Sequence, residues 1–553
     1  MIAYLYAGFF VLFLLLPLVR ALINIYPDYL WFKDLDYQAI FLKIWSVKLL
    51  LLGAFTLAAF LFIYLNFLVA LRIRRRVASE PELISEKTLP FDLSQLGIGK
   101  FIDIFAKVRL LPFALSCAIS AVLGGVGLLN WDKVLLFLNA VPFHKTDPIF
   151  HQDIGFYFFT YPFYRLLQGW LTSLVLLVLI AVIVLYATKR VIAVRGLSIE
   201  IRKEVKAHVA VLLGMFFLLL AWAYHLNMYQ ILFSNSSLIY GAGYTDIHAG
   251  LIGYKTLMII SLVIVGLLFV SIFRRGILLP IEGVVVLVLV SVLLKGIYPT
   301  ILQQLIVKTN EIEKERPYIT RHIGYTRDAY RLSSIEEKTF NINPNLSLTD
   351  VQKNQDMISN IRLWDHRPLL KTLEQLQEIR LYYNFNDVDV DRYRLNGKYQ
   401  QVMLSARELD ADQLPEQARN WINQKLTYTH GHGLVMLPVN KMTPEGLPTF
   451  YLYDIPAKIN VPLTMTNPDI YFGEATNKYI IVNTHAKEFD FPQGDNNQYT
   501  TYQAKRGIEL SSFWRKVLFA IKFQEINIVF SDAITPQSRV LFDRNILLRV
   551  KKI

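Results

Sequence analysis

Asp387, Asp389 and Asp391 lie two residues apart in the segment DVDVDRYRL. On a strand, alternate residues project from one face, so three carboxylates there could gather round a Ca²⁺ ion. An EF-hand register fails, because Arg392 falls where that loop needs glycine and Lys398 where it needs its last glutamate. The favoured reading is an acidic strand face answered by Arg392, Arg394 or Arg407. A second cluster, His430 and His432 in YTHGHGLVMLPVN, could ligate a transition metal from a glycine-rich loop. Zinc takes three or four protein ligands, and His322, His366 and His485 are scattered along the chain. The lone Cys117 lies in an apolar stretch. A loop whose glycines permit tight turning is therefore the default for that segment. No G-x-x-x-x-G-K-[ST] phosphate loop, G-x-S-x-G elbow or H-E-x-x-H helix occurs, and GAGYTDIHAG (241–250) has no preceding strand. No catalytic or cofactor-binding residue is assigned, no cofactor is expected, and a non-enzymatic protein is favoured.

The elements that must position these residues follow from hydropathy. Of 553 residues 54% are hydrophobic and 18% charged; mean hydropathy is +0.36. A hydrocarbon core of about 30 Å needs roughly 20 apolar residues per helix. Seven stretches meet that length: Ala3–Ile23, Leu49–Leu71, Leu110–Leu129, Leu166–Ala187, Val209–Leu232, Thr256–Phe273 and Ile277–Tyr298. The first has no basic leader before Arg20 and reads as an uncleaved anchor. Sixteen Lys and Arg fall on one side of these spans and nine on the other, in longer loops. Cytoplasmic loops accumulate such residues, which puts the N-terminus inside and, after an odd number of crossings, the C-terminus outside. The net charge of +13 is mostly this topogenic excess, since residues 301–553 carry only +3. Nucleic-acid binding, which needs a basic face on a folded domain, is excluded.

Trp31, Trp45, Trp131, Trp170 and Trp222 fall near span ends, where such rings anchor at headgroup depth. Two outer loops, residues 26–41 and 147–165, are aromatic enough to lie along the membrane or pack beneath the external domain. Glu282 and His225 sit away from mid-span, so no central charge demands transport, and seven spans give no even inverted repeat.

From Pro299 the hydropathy drops. Helices are predicted at 349–364 with Thr349 as cap, at 367–383 with a Leu370/Leu373/Leu376/Ile379 stripe, at 415–426, at 509–523 and at 538–552. Strict alternation either side of Asn396-Gly397 predicts a hairpin, because that pair accepts the positive φ of a type I′ turn. Further strands are predicted at 434–440, 449–455, 469–473 and 478–484. The fold class is a polytopic α-helical membrane bundle of seven transmembrane helices (residues 1–298), followed by a soluble α+β extracytoplasmic domain (residues 299–553).

The segments YLWFKDLDYQAIF, DPIFHQDIGFYFFTYPFYR, NEIEKERPYITRHIGYTRDAY, IRLWDHRPLLKTLEQLQEIRLYYNFNDVDVDRYRL, YTHGHGLVMLPVNKMTPEGLPTFYLYDIP and IYFGEATNKYIIVNT together resemble uncharacterised protein family 0182. These are large integral membrane proteins of bacteria and archaea. The resemblance runs over nearly the whole chain. It implies seven N-terminal spans, a cell-membrane location and a large external region, and it supplies no catalytic residues. The family pattern has Tyr where this chain has His432, and it continues beyond SRVLFDRNILLRVKKI, so the chain looks C-terminally short. The expected function is an envelope binding or assembly factor, with a lipid or small-molecule transporter as the alternative and an envelope hydrolase or transferase third. Expected partners are the lipid bilayer and other membrane or envelope proteins.

Overall fold

A computed structural model of the protein describes residues 23–78, 89–90, 110–186, 192–195, 198–235, 238–274, 278–342, 344–494 and 496–553. The chain forms two compact units, one of Lys43–Lys338 and one in which residues 23–42 join Thr339–Ile553. Among the described residues, six helices are long and apolar enough to cross a membrane: Gln38–Arg76, Leu110–Leu129, Phe156–Tyr186, Lys203–Phe233, Asp246–Phe273 and Leu278–Ala329. They coincide with the second to seventh predicted spans. The first, Ala3–Ile23, lies outside the described residues except for its last position.

The last helix runs on past Tyr298, where falling hydropathy predicted the soluble domain to begin. Pro299 does not stop it. The helix widens into π-turns at Leu293–Ile297 and Leu302–Val307 on either side, which accommodates the missing N–H.

In the helical unit the segments are α1 (Gln38–Ala78), α2 (Leu110–Leu129), α3 (Trp131–Leu138), α4 (Tyr161–Tyr186), α5 (Lys203–Gln230), α6 (Leu251–Phe273), α7 (Leu278–Val292) and α8 (Glu311–Ala329). A three-stranded antiparallel sheet joins β1 (Leu89–Pro90), β2 (Ile192–Arg195) and β3 (Ser198–Ile201). Ala59, Ile63 and Phe67 of α1, Leu174, Val178 and Val182 of α4 and Leu212 of α5 form one core. The buried face of α2 is Pro112, Ser116, Ser120, Gly124 and Gly127, a stripe of small residues that lets backbones approach closely. A Cβ on Gly127 would meet the Leu51 carbonyl oxygen at 2.9 Å, whereas one on Gly125 would meet nothing within 4 Å. Trp170 is buried among the helices and its indole donates to the Leu123 carbonyl at 3.1 Å. Asn66 and Tyr186 bracket the His208 ring at 3.0 and 2.7 Å, a polar link between three spans.

In the second unit, α9 (Leu348–Lys353) and α10 (Gln355–Ile358) replace the single helix predicted at 349–364. The cap is Ser347, which forms a capping box with Asp350, rather than Thr349. α11 (His366–Gln377) stops six residues earlier than predicted. It buries Leu369, Leu373 and Gln377 and leaves Leu376 and Ile379 exposed. Its stripe packs on Phe385, Met403, Val435 and Leu437 of a six-stranded sheet. That sheet comprises β4 (Tyr383–Phe385), β5 (Asp389–Leu395), β6 (Lys398–Leu409), β8 (Leu434–Pro438), β9 (Leu452–Tyr453) and β10 (Lys458–Ile459), with β6 central to β4, β5 and β8.

The hairpin is as predicted. Leu395 pairs with Lys398, and Asn396 and Gly397 adopt φ of +51° and +76°. Small antiparallel sheets pair β7 (Gly431–His432) with β11 (Asp469–Ile470), β13 (Glu488–Gln493) with β14 (Asn496–Thr500), and β12 (Ile480–Val482) and β15 (Ile508–Glu509) with β16 (Arg539–Leu541). The helix predicted at 415–426 is instead a 3₁₀ turn, Glu416–Ala418, and a π-turn, Asn423–Thr427. Of residues 538–552 the first part is β16 and only Ile546–Lys552 is helical. Residues 26–41 pack on this unit through charge. Asp28 accepts from Lys522 and Lys552 at 3.0 Å each, the Gly507 amide donates to Asp34, and Arg549 and Lys552 lie over the buried Trp31 ring.

Gly127→Ala is expected to lower stability by about 1–3 kcal/mol through overpacking against α1. Gly125→Ala is expected to be neutral or to gain up to about 1 kcal/mol from helix propensity. Thermal unfolding of the detergent-solubilised full chain separates the two.

Candidate metal centre

The segment Thr429–Gly433 crosses the end of β6 at close range. A Cβ on Gly431 would meet the Arg407 carbonyl oxygen at 2.2 Å, and Gly433 holds a φ of +71°. The glycines thus do what the sequence suggests, bringing two imidazoles down onto the sheet. Buried guanidinium groups fix the backbone there. Arg407 donates to the Gln377 carbonyl at 2.9 Å and the His432 carbonyl at 3.0 Å. Arg544 donates to the carbonyls of Thr429 at 2.6 Å and Tyr471 at 2.7 Å. Burial pulls Arg407 down to about 10 and Arg544 to about 9, so both stay cationic at neutral pH.

β7 pairs His432 directly with Asp469 on β11. Asp490 comes from β13 and completes the group. His432 Nδ1 lies 2.8 Å from Asp490 Oδ1 and 3.9 Å from Asp469 Oδ1. His430 Nε2 lies 3.9 Å from Asp490 Oδ1 and 4.0 Å from Asp469 Oδ1. Both histidines are buried, with side chains 0% and 4% exposed. His430 Nε2, His432 Nδ1 and Asp490 Oδ1 are all buried without a hydrogen-bond partner, the 2.8 Å contact being misaligned for one.

The proton positions explain why. Buried Glu488 accepts from the Thr429 hydroxyl at 2.7 Å, the Tyr471 hydroxyl at 2.9 Å and the Tyr502 amide at 3.1 Å. The Thr429 hydroxyl has one proton and gives it to Glu488, so it accepts from Nδ1–H of His430 at 2.9 Å. With Nδ1 engaged by Thr429, Nε2 is the His430 atom turned toward the two carboxylates. Buried polar groups left unpaired cost about 1–3 kcal/mol each, and a cation placed among them would remove that cost. The His430 ring is held flat against Tyr471 at 4.6 Å. Burial raises Asp469, whereas the two imidazoles outweigh the burial of Asp490 and hold its carboxyl well below the ordinary range.

Metal–ligand bonds of about 2.0–2.2 Å imply tetrahedral edges of about 3.3–3.6 Å. The observed edges of 2.8–4.0 Å straddle that range. Two imidazoles and two carboxylates form a borderline donor set suited to Zn²⁺ and its neighbours. Among the described residues this is the place where three such ligand atoms, those of His430, Asp469 and Asp490, come within 4.8 Å of one another.

The acidic triplet is different. Asp387 precedes β5, all three aspartates are exposed, and Asp387 and Asp391 each accept from the next residue's backbone amide. Among the described residues no Arg392 or Arg394 ion pair answers them, and Arg407 turns inward to Gln377 and His432. His366 is half exposed beside Asp365, and the His485 amide donates to Ala533. Neither joins His430 and His432. Asp469, Glu488 and Asp490 were not anticipated. The signal for two of them was the alternation Glu488-Phe489-Asp490-Phe491, which puts both acids on one strand face.

Comparison with known proteins gives the family and does not describe the centre. No solved structure matches the chain. A UPF0182 protein of Pelotomaculum thermopropionicum is 41% identical over 558 residues, covering 100% of this chain and 60% of that protein. One from Desulforamulus reducens is 39% identical, covering 96% and 58%, and one from Trichodesmium erythraeum is 36% identical, covering 98% and 58%. The chain therefore spans about three-fifths of the length of these curated relatives. The model of the Uncharacterised protein family (UPF0182) matches residues 5–553, and the chain belongs to that family.

Proposed function

We propose that this protein is a multi-pass cell-membrane protein whose C-terminal α+β unit lies outside the cytoplasm. There it holds one divalent transition-metal ion between His430, His432, Asp469 and Asp490. The observation that carries the reading is the approach of His430, Asp469 and Asp490, whose ligand atoms lie within 4.8 Å of one another, with the buried His432 beside Asp490 at 2.8 Å. With His432 joining the three clustered ligands, the ion would have four protein ligands and no open position for substrate, which is the pattern of structural ions. The ion would tie β7, β11 and β13 together, and the unit would work as an envelope binding or assembly factor whose shape the ion maintains. The external placement rests on the Lys and Arg bias of the loops.

Metal content is the direct test. The full chain, stripped with chelator in detergent and titrated with Zn²⁺, is expected to take up about one equivalent and to unfold at higher temperature once loaded. Asp490→Asn and His432→Ala are expected to weaken zinc by about 10–100-fold or more. Asp389→Asn and His366→Ala should bind as the wild type does. Equal zinc uptake by wild type and Asp490→Asn would overturn the assignment.

The topology is tested separately. In a Cys117→Ser background, Lys353→Cys is expected to react with a membrane-impermeant maleimide in spheroplasts and to be protected in inside-out vesicles. The opposite pattern reverses the orientation.

A further inference from the structure

In the helical unit, a cavity of about 590 Å³ opens between the first turns of α4 and the last turns of α5, lined by Lys133, Tyr161, Arg165, Gln230, Phe233 and Tyr240. Its charges are unusual. Arg165 sits in the first turns of α4, immediately before the apolar run that begins at Leu166. Its hydrogen-bond partner is the neutral Asn227 Oδ1, at 2.8 Å. Lys133 Nζ likewise donates to a neutral group, Asn130 Oδ1, at 2.8 Å. Among the described residues neither cation has a carboxylate partner, and no carboxylate lines the cavity. Tyr161 is committed to Gln230 at 2.7 Å. A guanidinium carries five N–H donors and Asn227 occupies one, so the cavity is bordered by donors and positive charge without a matching anion.

The walls supply the second half of the argument. Pro162, Leu166 and Phe233 make one side of the cavity apolar. It shares Tyr157, Phe233 and Tyr240 with a neighbouring cavity of about 300 Å³ whose wall is mostly apolar, with Ile149, Ile154 and Leu232, and also carries Asp147, Arg321 and His322. Arg165 near the start of a lipid-length helix and Lys133 on the short α3, beside a mostly apolar trough, match an anion that carries hydrocarbon. The planar fork of an arginine suits phosphate oxygens.

We propose that this cavity binds the phosphate of an anionic membrane phospholipid, with Arg165 and Lys133 on the headgroup and its acyl chain along Leu166 and Phe233. The site is independent of the metal centre.

The test uses the full chain in non-ionic detergent and native mass spectrometry. Phosphatidylglycerol and phosphatidylcholine of identical acyl chains are supplied together. Wild type is expected to retain phosphatidylglycerol about tenfold over phosphatidylcholine. Lys133→Gln/Arg165→Gln is expected to abolish that preference. Lys48→Gln, a cation over Trp45 and Trp131 that does not line the cavity, should keep it. If the double variant is not monodisperse, Lys133→Gln alone is read, with a drop in preference expected. Equal retention of the two lipids by wild type, or an undiminished preference in these variants, overturns the proposal. So does full displacement of the lipid by millimolar inorganic phosphate, which would mark a free-anion site.

Discussion

Every buried backbone carbonyl and amide needs a partner, and each half of this protein meets that demand differently. In the apolar half the demand is met inside each helix, which is why the segments are long and uninterrupted. Even at Pro299 the helix widens into π-turns rather than break. In the C-terminal unit the chain between 427 and 434 is too irregular to satisfy itself. Arg407 and Arg544 take over, donating to the carbonyls of Gln377, His432, Thr429 and Tyr471. Two cations are committed to holding the backbone rather than neutralising acids.

That commitment shapes the chemistry beside them. With both guanidinium groups occupied by carbonyls, Asp469 and Asp490 are left to face imidazoles. Glu488 is saturated by Thr429, Tyr471 and Tyr502 and fixes the His430 tautomer through Thr429. The result is a compact group of imidazoles and carboxylates held by well-partnered surroundings, the kind of surround that would orient the ligands of the proposed ion. Gly431 is part of the same arrangement, since only the absence of a Cβ lets β7 lie against the Arg407 carbonyl.

Much of this was legible in the linear chain where a single physical term dominates. Apolar length alone located the second to seventh spans, and the Asn396-Gly397 turn located the hairpin with its register. Reading failed where tertiary contacts outweigh local preference. Of the stripe expected on Leu370, Leu373, Leu376 and Ile379, Leu373 is buried and Leu370 packs against the same core, whereas Leu376 is exposed and Ile379 lies beyond the helix, which ends at Gln377. Residues 415–426 had helical propensity but folded into two short turns.

Composition and spacing by themselves located the long apolar helices and a sheet-containing unit after them, and they offered His430 and His432 as metal ligands only as the alternative to a glycine-turned loop. Whether that pair had company was beyond them, since ligands distant along a chain leave no periodicity to read. Only the folded sheet, pairing His432 with Asp469 and bringing Asp490 alongside, decided that two carboxylates meet two imidazoles. The same fold decided that the Asp387–Asp391 acids stay in water, because a strand whose exposed face meets no other element has nothing to gather round an ion.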